Sequence, residues 1–512
     1  MKSLPVLILL IVGAAMLASC GPRATTNETP KPRVIVTCDP ELDDNNSLIR
    51  YLLYSTDFDT EGLIYASSQV HWKGDGKGGT QYIPGREYSR PGRDLGPQTS
   101  WRWAEDERFI DDNVEAYGRA YSNLKVHNPD YPTPEYLRSI IRMGNVEFEG
   151  DISQDTPGSD LIRQTLLDDD PRPVYIQVWG GPSTASRALK SIEEEYSGAD
   201  NWSEIKAKVS EKAVLCLSGC QDTSFPDYVR PNWPDVKVIM INKGVIPIGY
   251  GAMRGVPDPS DTVYYAAEWT AENILKGPLG ANYRVWGDGK QMAPDDFTDY
   301  FGLSGYTAEE LSEQGYWVWT PPQRKGNFIS EGDTPMFLNF IDNGLRAYED
   351  DTWGGWAGRL GELSDREMAN GYTVAFGTRG GKDEVLPDFV PAVQNSFAAR
   401  MKWSVTPEYA DANHEPVVSG PVSLSVAPGK KLKFKVKAFD PDGDNLTLSW
   451  AQYKVFGAYQ GDVSIDQADP FRPVVTIPAD AGSGEKIHLV LTAQDDGEFN
   501  LVTYLRTIIT IQ

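Results

Sequence analysis

Asp39, Asp43 and Asp44 fall within six positions of one another in the stretch VIVTCDPELDDNNSL, Val34 to Leu48. Like charges repel, and each carboxylate taken out of water costs free energy unless something neutralises it. A β-branched run precedes them, and Leu48, Ile49, Leu52 and Leu53 follow at helical spacing. If a strand ends at Asp39 and a helix begins near Asp44, the three carboxylates converge on one small volume. Such a set suits a hard, oxygen-seeking cation, and Ca²⁺ fits best. His71, His127, His414 and His488 are the only histidines, and no histidine or cysteine cluster favours zinc. The plainer alternative is that Asp43 or Asp44 caps the helix and the others are solvated.

The elements that must position these residues alternate. RVIVTCD reads as a buried parallel strand, and EGLIYASS, VYIQVWGG, AVLCLSG and VKVIMIN read as further strands. A helix is expected at STASRALKSIEEE. This order predicts an α/β fold, an open and mostly parallel sheet with helices on both faces, over residues 33–410. Ligands of such sheets bind beyond the C-terminal ends of the strands, where the aspartates sit. Residues 73–110, rich in Gly, Arg, Asp and Trp, are too long for a plain connection and are expected to face substrate as a lid. Residues 245–330 have few clear elements. From residue 413 to 512, short alternating strands with turn signals predict an all-β, immunoglobulin-like sandwich. Asp440, Asp442 and Asp444 in its DPDGD loop read as a polar turn, because an EF-hand's glutamate and flanking helices are missing.

Residues 1–20, MKSLPVLILLIVGAAMLASC, read as an export signal ending in a lipobox, with lipid carried on Cys20. Residues 21–32 read as a flexible tether. The expected location is the outer membrane or cell surface of a Gram-negative bacterium, with the membrane as a partner through the lipid anchor. Cys38, Cys216 and Cys220 make no disulfide framework and are expected as buried thiols, a Cys216–Cys220 bridge being left open. The net charge of −25 argues against nucleic acid as a partner. It suits cation binding or a neutral ligand such as sugar, and also simple solubility.

CDPELDD resembles the signature of the calcium-dependent nucleoside hydrolases. The resemblance implies that Asp39 is a metal ligand and water-activating base, that Asp43 holds sugar hydroxyls, and that Asp44 is a bidentate ligand. Glu41 stands where that motif has glycine, and Thr37 where it has its first aspartate. VWGGPSTASRAL is similar to a second family segment, which implies that a backbone carbonyl at Ser183 completes the calcium shell. SEGDTPMFLNFI resembles the late acidic element, which implies Asp333 as the last ligand. The family's histidine acid falls on Gly332, and its sugar-binding asparagine falls near Gln69. Gln221 and Asp222 are the nearest counterparts of its later sugar-binding cluster. The chain is more closely similar to a subgroup of secreted bacterial proteins described as cellulose-binding. It shares with them DPELDDNNSLIRYLLYS, EGLIYASS with His71 and Trp72, EGDTPMFLNFI and DTWGGWAGR, over roughly residues 33–512.

These features predict a calcium-dependent hydrolase of glycosidic bonds, on saccharides or glycosides, with Asp39 as base. The general acid is left among Glu331, Glu41, Asp222 and His71. Trp72, Trp179, Trp353 and Trp356 are candidates for stacking on sugar rings, with core packing as the alternative. The competing expectation is a carbohydrate-binding lipoprotein that kept the fold and lost catalysis. Oligomeric state is not legible.

Overall fold

A computed structural model of the chain describes residues 30–241, 246–254, 257–350, 353–359, 374–376, 388–454 and 457–512. Cys20 and the expected signal lie outside them. Lys31–Gln512 forms one compact unit.

Seven parallel strands make the central sheet: β1 Arg33–Cys38, β2 Asp59–Tyr65, β3 Ile141–Met143, β4 Val174–Val178, β5 Ala213–Leu217, β6 Lys237–Ile241 and β7 Val374–Phe376. Their spatial order is β3-β2-β1-β4-β5-β6-β7. Every residue of β1 is buried, because both its faces are covered. Val34, Val36 and Cys38 join one hydrophobic core, and Ile35 joins the other. The first core holds α1 (Leu42–Leu53) and α2 (Phe109–His127). The second holds α3 (Pro157–Leu167), α4 (Ser183–Tyr196) and α5 (Trp202–Lys212). The chain runs outward from β1 to β2 and β3, then crosses back to β4 on β1's other side. The β1–β4 crevice is therefore the topological switch point, where open α/β sheets bind ligands.

The expected Asp43 or Asp44 cap is not observed. Glu41 is the extended residue before α1 and makes no side-chain cap bond, and both aspartates lie in the first turn. Cys38 and Cys216 are buried as expected, Cys220 is only half-buried, and Cys216 and Cys220 are not joined by a disulfide. Among the described residues no helix is long and apolar enough to cross a membrane.

The last helix of this domain, α6 (Val390–Trp403), packs on α1: the Arg50 guanidinium donates to the Val393 carbonyl at 3.1 Å and lies 3.8 Å above the Phe397 ring. The C-terminal strands then form a four-stranded and a three-stranded sheet enclosing their own core. The longest are β8 (Lys486–Asp495) and β9 (Val502–Ile511), an antiparallel pair. The DPDGD loop is a polar turn as expected: Asp440 accepts from the backbone N–H of Asp442 and of Asp444.

Strand β9 hydrogen-bonds to the first domain as well. Tyr504 N–H donates to the Asn343 carbonyl at 2.9 Å, and Arg506 N–H to the Gly344 carbonyl at 3.2 Å. Gly344 has φ +87°, and a Cβ there would meet the Tyr504 carbonyl oxygen at 1.9 Å, so only glycine fits. Trp353 and Trp356 seal the same seam. Trp353 packs edge-on against His488, with the Arg506 guanidinium 5.9 Å from its ring, and Trp356 reaches the Tyr504 hydroxyl. Both indoles are buried in this interface, which corrects the expectation that the DTWGGWAGR loop stacks on sugar. Two tryptophans in a glycine-rich loop are explained by a neighbouring domain.

Candidate metal centre

The residue after β1 is Asp39, fully buried at the mouth of the β1–β4 crevice. Its Oδ2 accepts from the Ser68 hydroxyl at 2.5 Å and lies 2.8 Å from His71 Nδ1. Ser68 also accepts from the backbone N–H of Val70 and His71, so the turn after β2 is organised around one hydroxyl. Asp39 Oδ1 is buried and has no protein partner.

One helical turn on, Asp44 Oδ1 accepts from the Asp39 N–H at 3.1 Å, and Asp43 Oδ2 from the Ser330 hydroxyl at 3.4 Å. Asp43 Oδ1 is a second buried oxygen without a protein partner. Asp333 arrives from the far end of the domain. Ser47 of α1 pins it, accepting from the Asp333 N–H at 3.2 Å and the Thr334 N–H at 3.1 Å. Gly332, just before it, lies against Asp43: a Cβ at 332 would stand 2.1 Å from Asp43 Oδ2. Burial, then mutual repulsion within the group, pushes the Asp43, Asp44 and Asp333 carboxyls well above the usual carboxylate range. Burial and the neighbouring Asp43 push Glu41 up to about 8.

Two family models match the chain. "Cellulose-binding Sde182, nucleoside hydrolase-like domain" covers residues 33–360, and "Cellulose-binding protein Sde0182, C-terminal domain" covers residues 431–511. The chain belongs to the cellulose-binding Sde182 family. Among solved structures it resembles a nucleoside hydrolase-related hypothetical protein from Saccharophagus degradans that is associated with carbohydrate metabolism. The two are 25% identical, with 94% of this chain and 100% of that one covered and a TM-score of 0.68. The titin M3 domain is 12% identical over 19% of this chain and 96% of its own, at a TM-score of 0.15 too low to bear on the reading. No curated protein matches the chain.

The nucleoside hydrolase-like domain thus brings Asp39, Asp43, Asp44 and Asp333 together, as the resemblance implied. A hard cation fits them on the chain's own geometry: two buried oxygens lack partners, all the donors are carboxylate oxygens, and their burial is unfavourable without positive charge. Gly332 stands where the family has its histidine, and a Cβ there would crowd Asp43 Oδ2 at 2.1 Å.

Glu331, Asp222, Gln221, Trp179 and Trp72 are engaged within the scaffold. Glu331 is fully buried and bound by the Arg50 guanidinium at 2.5 and 3.1 Å, the Tyr283 hydroxyl at 2.5 Å and the Thr334 hydroxyl at 2.9 Å. This removes it as an acid for substrate. Asp222 is occupied by backbone N–H groups, Ser183 at 3.0 Å and Ser224 at 2.7 Å, and burial holds its carboxyl up. Gln221 donates to the Trp179 carbonyl at 2.6 Å, and its own carbonyl accepts from the Gln69 N–H at 2.6 Å. Together Gln69 and Gln221 tie the turn after β2 to the one after β5. Ser183 opens α4 and its N–H donates to Asp222, a bond that leaves its backbone carbonyl, the atom the resemblance assigns to the calcium shell, uninvolved. Trp179 is core, edge-on to Tyr51 at 6.2 Å. Trp72 is buried against Tyr88 and Phe148. Neither indole is available to a sugar.

His71 does face the site. Beside it is a space with room for about one water, lined by Glu41, Arg102, Tyr250, Asp296 and Trp319. Tyr250 donates to Glu41 Oε1 at 3.3 Å and stacks on Phe301. Arg102 is paired with Asp296 at 2.8 Å and Glu87 at 3.1 Å. Sequence reasoning missed these roof residues individually. The two irregular stretches that carry them were visible, but without periodicity nothing ranked one aromatic or arginine above the next.

Proposed function

We propose that the chain is a calcium-dependent hydrolase of glycosidic bonds, acting on saccharides or glycosides, with Asp39 as the base that activates water. The observation that carries this reading is the pair of buried, unpartnered oxygens, Asp39 Oδ1 and Asp43 Oδ1, at the switch point of a nucleoside hydrolase-like sheet. The family's description as cellulose-binding and the Saccharophagus relative's association with carbohydrate metabolism support a saccharide.

Held by Asp39, Asp44 and Asp333, Ca²⁺ would neutralise the carboxylates and acidify water beside them. Ser68 and His71 fix Asp39 Oδ2, which leaves Oδ1 to accept a proton. Asp43 Oδ1, buried without a protein partner, would accept hydrogen bonds from sugar hydroxyls. Water attacking the face opposite the leaving group inverts the anomeric carbon. With Glu331 and Asp222 engaged elsewhere, Glu41 and His71 are the remaining donors of a leaving-group proton.

A second reading, a carbohydrate-binding lipoprotein without catalysis, is favoured by the departures from the motif: Thr37 stands for its first aspartate, Glu41 for its glycine and Gly332 for its histidine. The test is release of reducing ends from glycans, and of base from nucleosides, with and without chelator, for wild type and Asp39→Asn. Chelator-sensitive turnover lost in the variant supports the hydrolase. Glycan binding indifferent to the variant, with no turnover, supports the binding module. The same proposal places the protein at the cell surface through lipid on Cys20, so Cys20→Ala should release it from the membrane fraction.

A further inference from the structure

The turn from Asp440 to Asp444 has no EF-hand around it, but the fold lays two other segments of the sandwich against it. One is Asn413, where the chain enters the sandwich. The other is the loop between β8 and β9. Asn413 is 6% exposed. Its Nδ2 donates to Asp495 Oδ2 at 3.0 Å and to the Glu498 carbonyl at 2.7 Å. Both amide hydrogens are therefore used, which fixes Oδ1 as an acceptor. That oxygen is buried and has no protein partner.

The position of Gly497 shows where it points. A Cβ there would stand 2.1 Å from Asp444 Oδ2 and 2.7 Å from Asn413 Oδ1, so the two oxygens face one small gap. Asp440 Oδ1 accepts from the backbone N–H of Asp442 and Asp444, while its Oδ2 is buried without a protein partner, like that of Asn413. Burial, then repulsion from Asp440, raises the Asp444 carboxyl, and the same two causes bring Asp495 up to about 6. His414 is paired with Asp442 at 3.0 Å and Lys402 with Glu498, so neither is left to neutralise Asp440 and Asp444. A water could bridge two such oxygens but would leave the repulsion in place, whereas a cation removes it.

We propose that the sandwich binds a calcium ion of its own through Asn413 Oδ1, Asp440 Oδ2 and Asp444 Oδ2. An amide oxygen with two carboxylates is an all-oxygen set, the chemistry of Ca²⁺. Asp440 and Asp444 are partly exposed, so water completes the shell. The site then falls in the weak class, with Kd about 10⁻⁴–10⁻³ M, and fills after the buried cage. It lies where the sandwich joins the first domain. The Asn413 carbonyl accepts from Trp403 Nε1, at the end of α6, at 2.8 Å, and His414 stacks 5.2 Å from His127, at the end of α2. None of its ligands belongs to the aspartate cage, so it stands independently of the proposed function.

The experiment uses the full chain, stripped with chelator and dialysed against radioactive calcium up to several times that Kd. Wild type should take up two equivalents, one tight and one weak. Asp444→Asn should lose the weak one, and Asp44→Asn should keep it. Gly497→Ala retains every carboxylate and blocks the gap, so loss of the weak equivalent there separates a built site from calcium gathered loosely by the net charge. Melting curves check that each variant folds. Weak uptake unchanged in both Asp444→Asn and Gly497→Ala overturns the inference. A single equivalent that only Asp44→Asn removes overturns it and leaves the proposed function standing. A single equivalent that only Asp444→Asn and Gly497→Ala remove upholds it and overturns the cage. No bound calcium overturns both.

Discussion

Glu331 and Arg50 form a fully buried ion pair, Nε to Oε2 at 2.5 Å, directly beside the site but turned away from it. The pair joins α1, which carries Asp43 and Asp44, to the turn that carries Asp333. Gln394 Oε1 and the Val393 carbonyl accept two further Arg50 hydrogen bonds. Removing one partner strands the other charge in the core. Glu331→Gln should therefore lower the unfolding free energy by about 3–5 kcal/mol, read from urea denaturation. If Glu331 acted as an acid on substrate, the variant would instead keep its stability and lose turnover.

Gly332→Ala tests the close approach to Asp43. The added Cβ would stand 2.1 Å from Asp43 Oδ2, so the carboxylate must shift, and the atoms it meets all belong to Asp43. Calcium affinity, measured by calorimetry on the chelator-stripped chain, should fall at least tenfold while far-UV circular dichroism is unchanged.

Cation binding should also raise thermal stability, because the carboxylates converge only in the folded chain. Calcium at one hundred times its dissociation constant stabilises a one-site protein by about 2.7 kcal/mol. Chelator should reverse this shift of the melting curve in wild type, and Asp44→Asn should abolish it.

The seam between the domains has its own pH signature. Burial and the neighbouring Arg506 hold His488 down to about 3. An unfolded chain protonates this imidazole near its ordinary value of about 6.5, while the folded chain does so only near 3. The unfolded state thus binds more protons between these values, and stability falls as pH drops through that window, by at most about 1.4 kcal/mol per pH unit. His488→Gln should flatten this part of the stability profile.

The parallel sheet was readable because β1, β2, β4, β5 and β6 are short apolar runs that need no alternation once both faces are covered. Asp39, Asp43 and Asp44 were readable because one strand end and one helix start bring them together locally. What lay beyond the sequence was long-range. Nothing near Glu331 announces that Arg50, some 280 positions away, will claim it. Trp353 and Trp356 look like an exposed aromatic platform until β9 is laid over them. The roof residues Arg102 and Tyr250 come from loops whose path depends on tertiary packing alone.

The seam formed by Gly344, Trp356 and Tyr504 has a consequence for descent. A chain cut ahead of the sandwich would bare Trp353 and Trp356 to water and leave the Asn343 and Gly344 carbonyls without their partners. Such a fragment is a poor candidate for independent life. The two halves should pass through evolution as one heritable block, gained or discarded together rather than shuffled like beads.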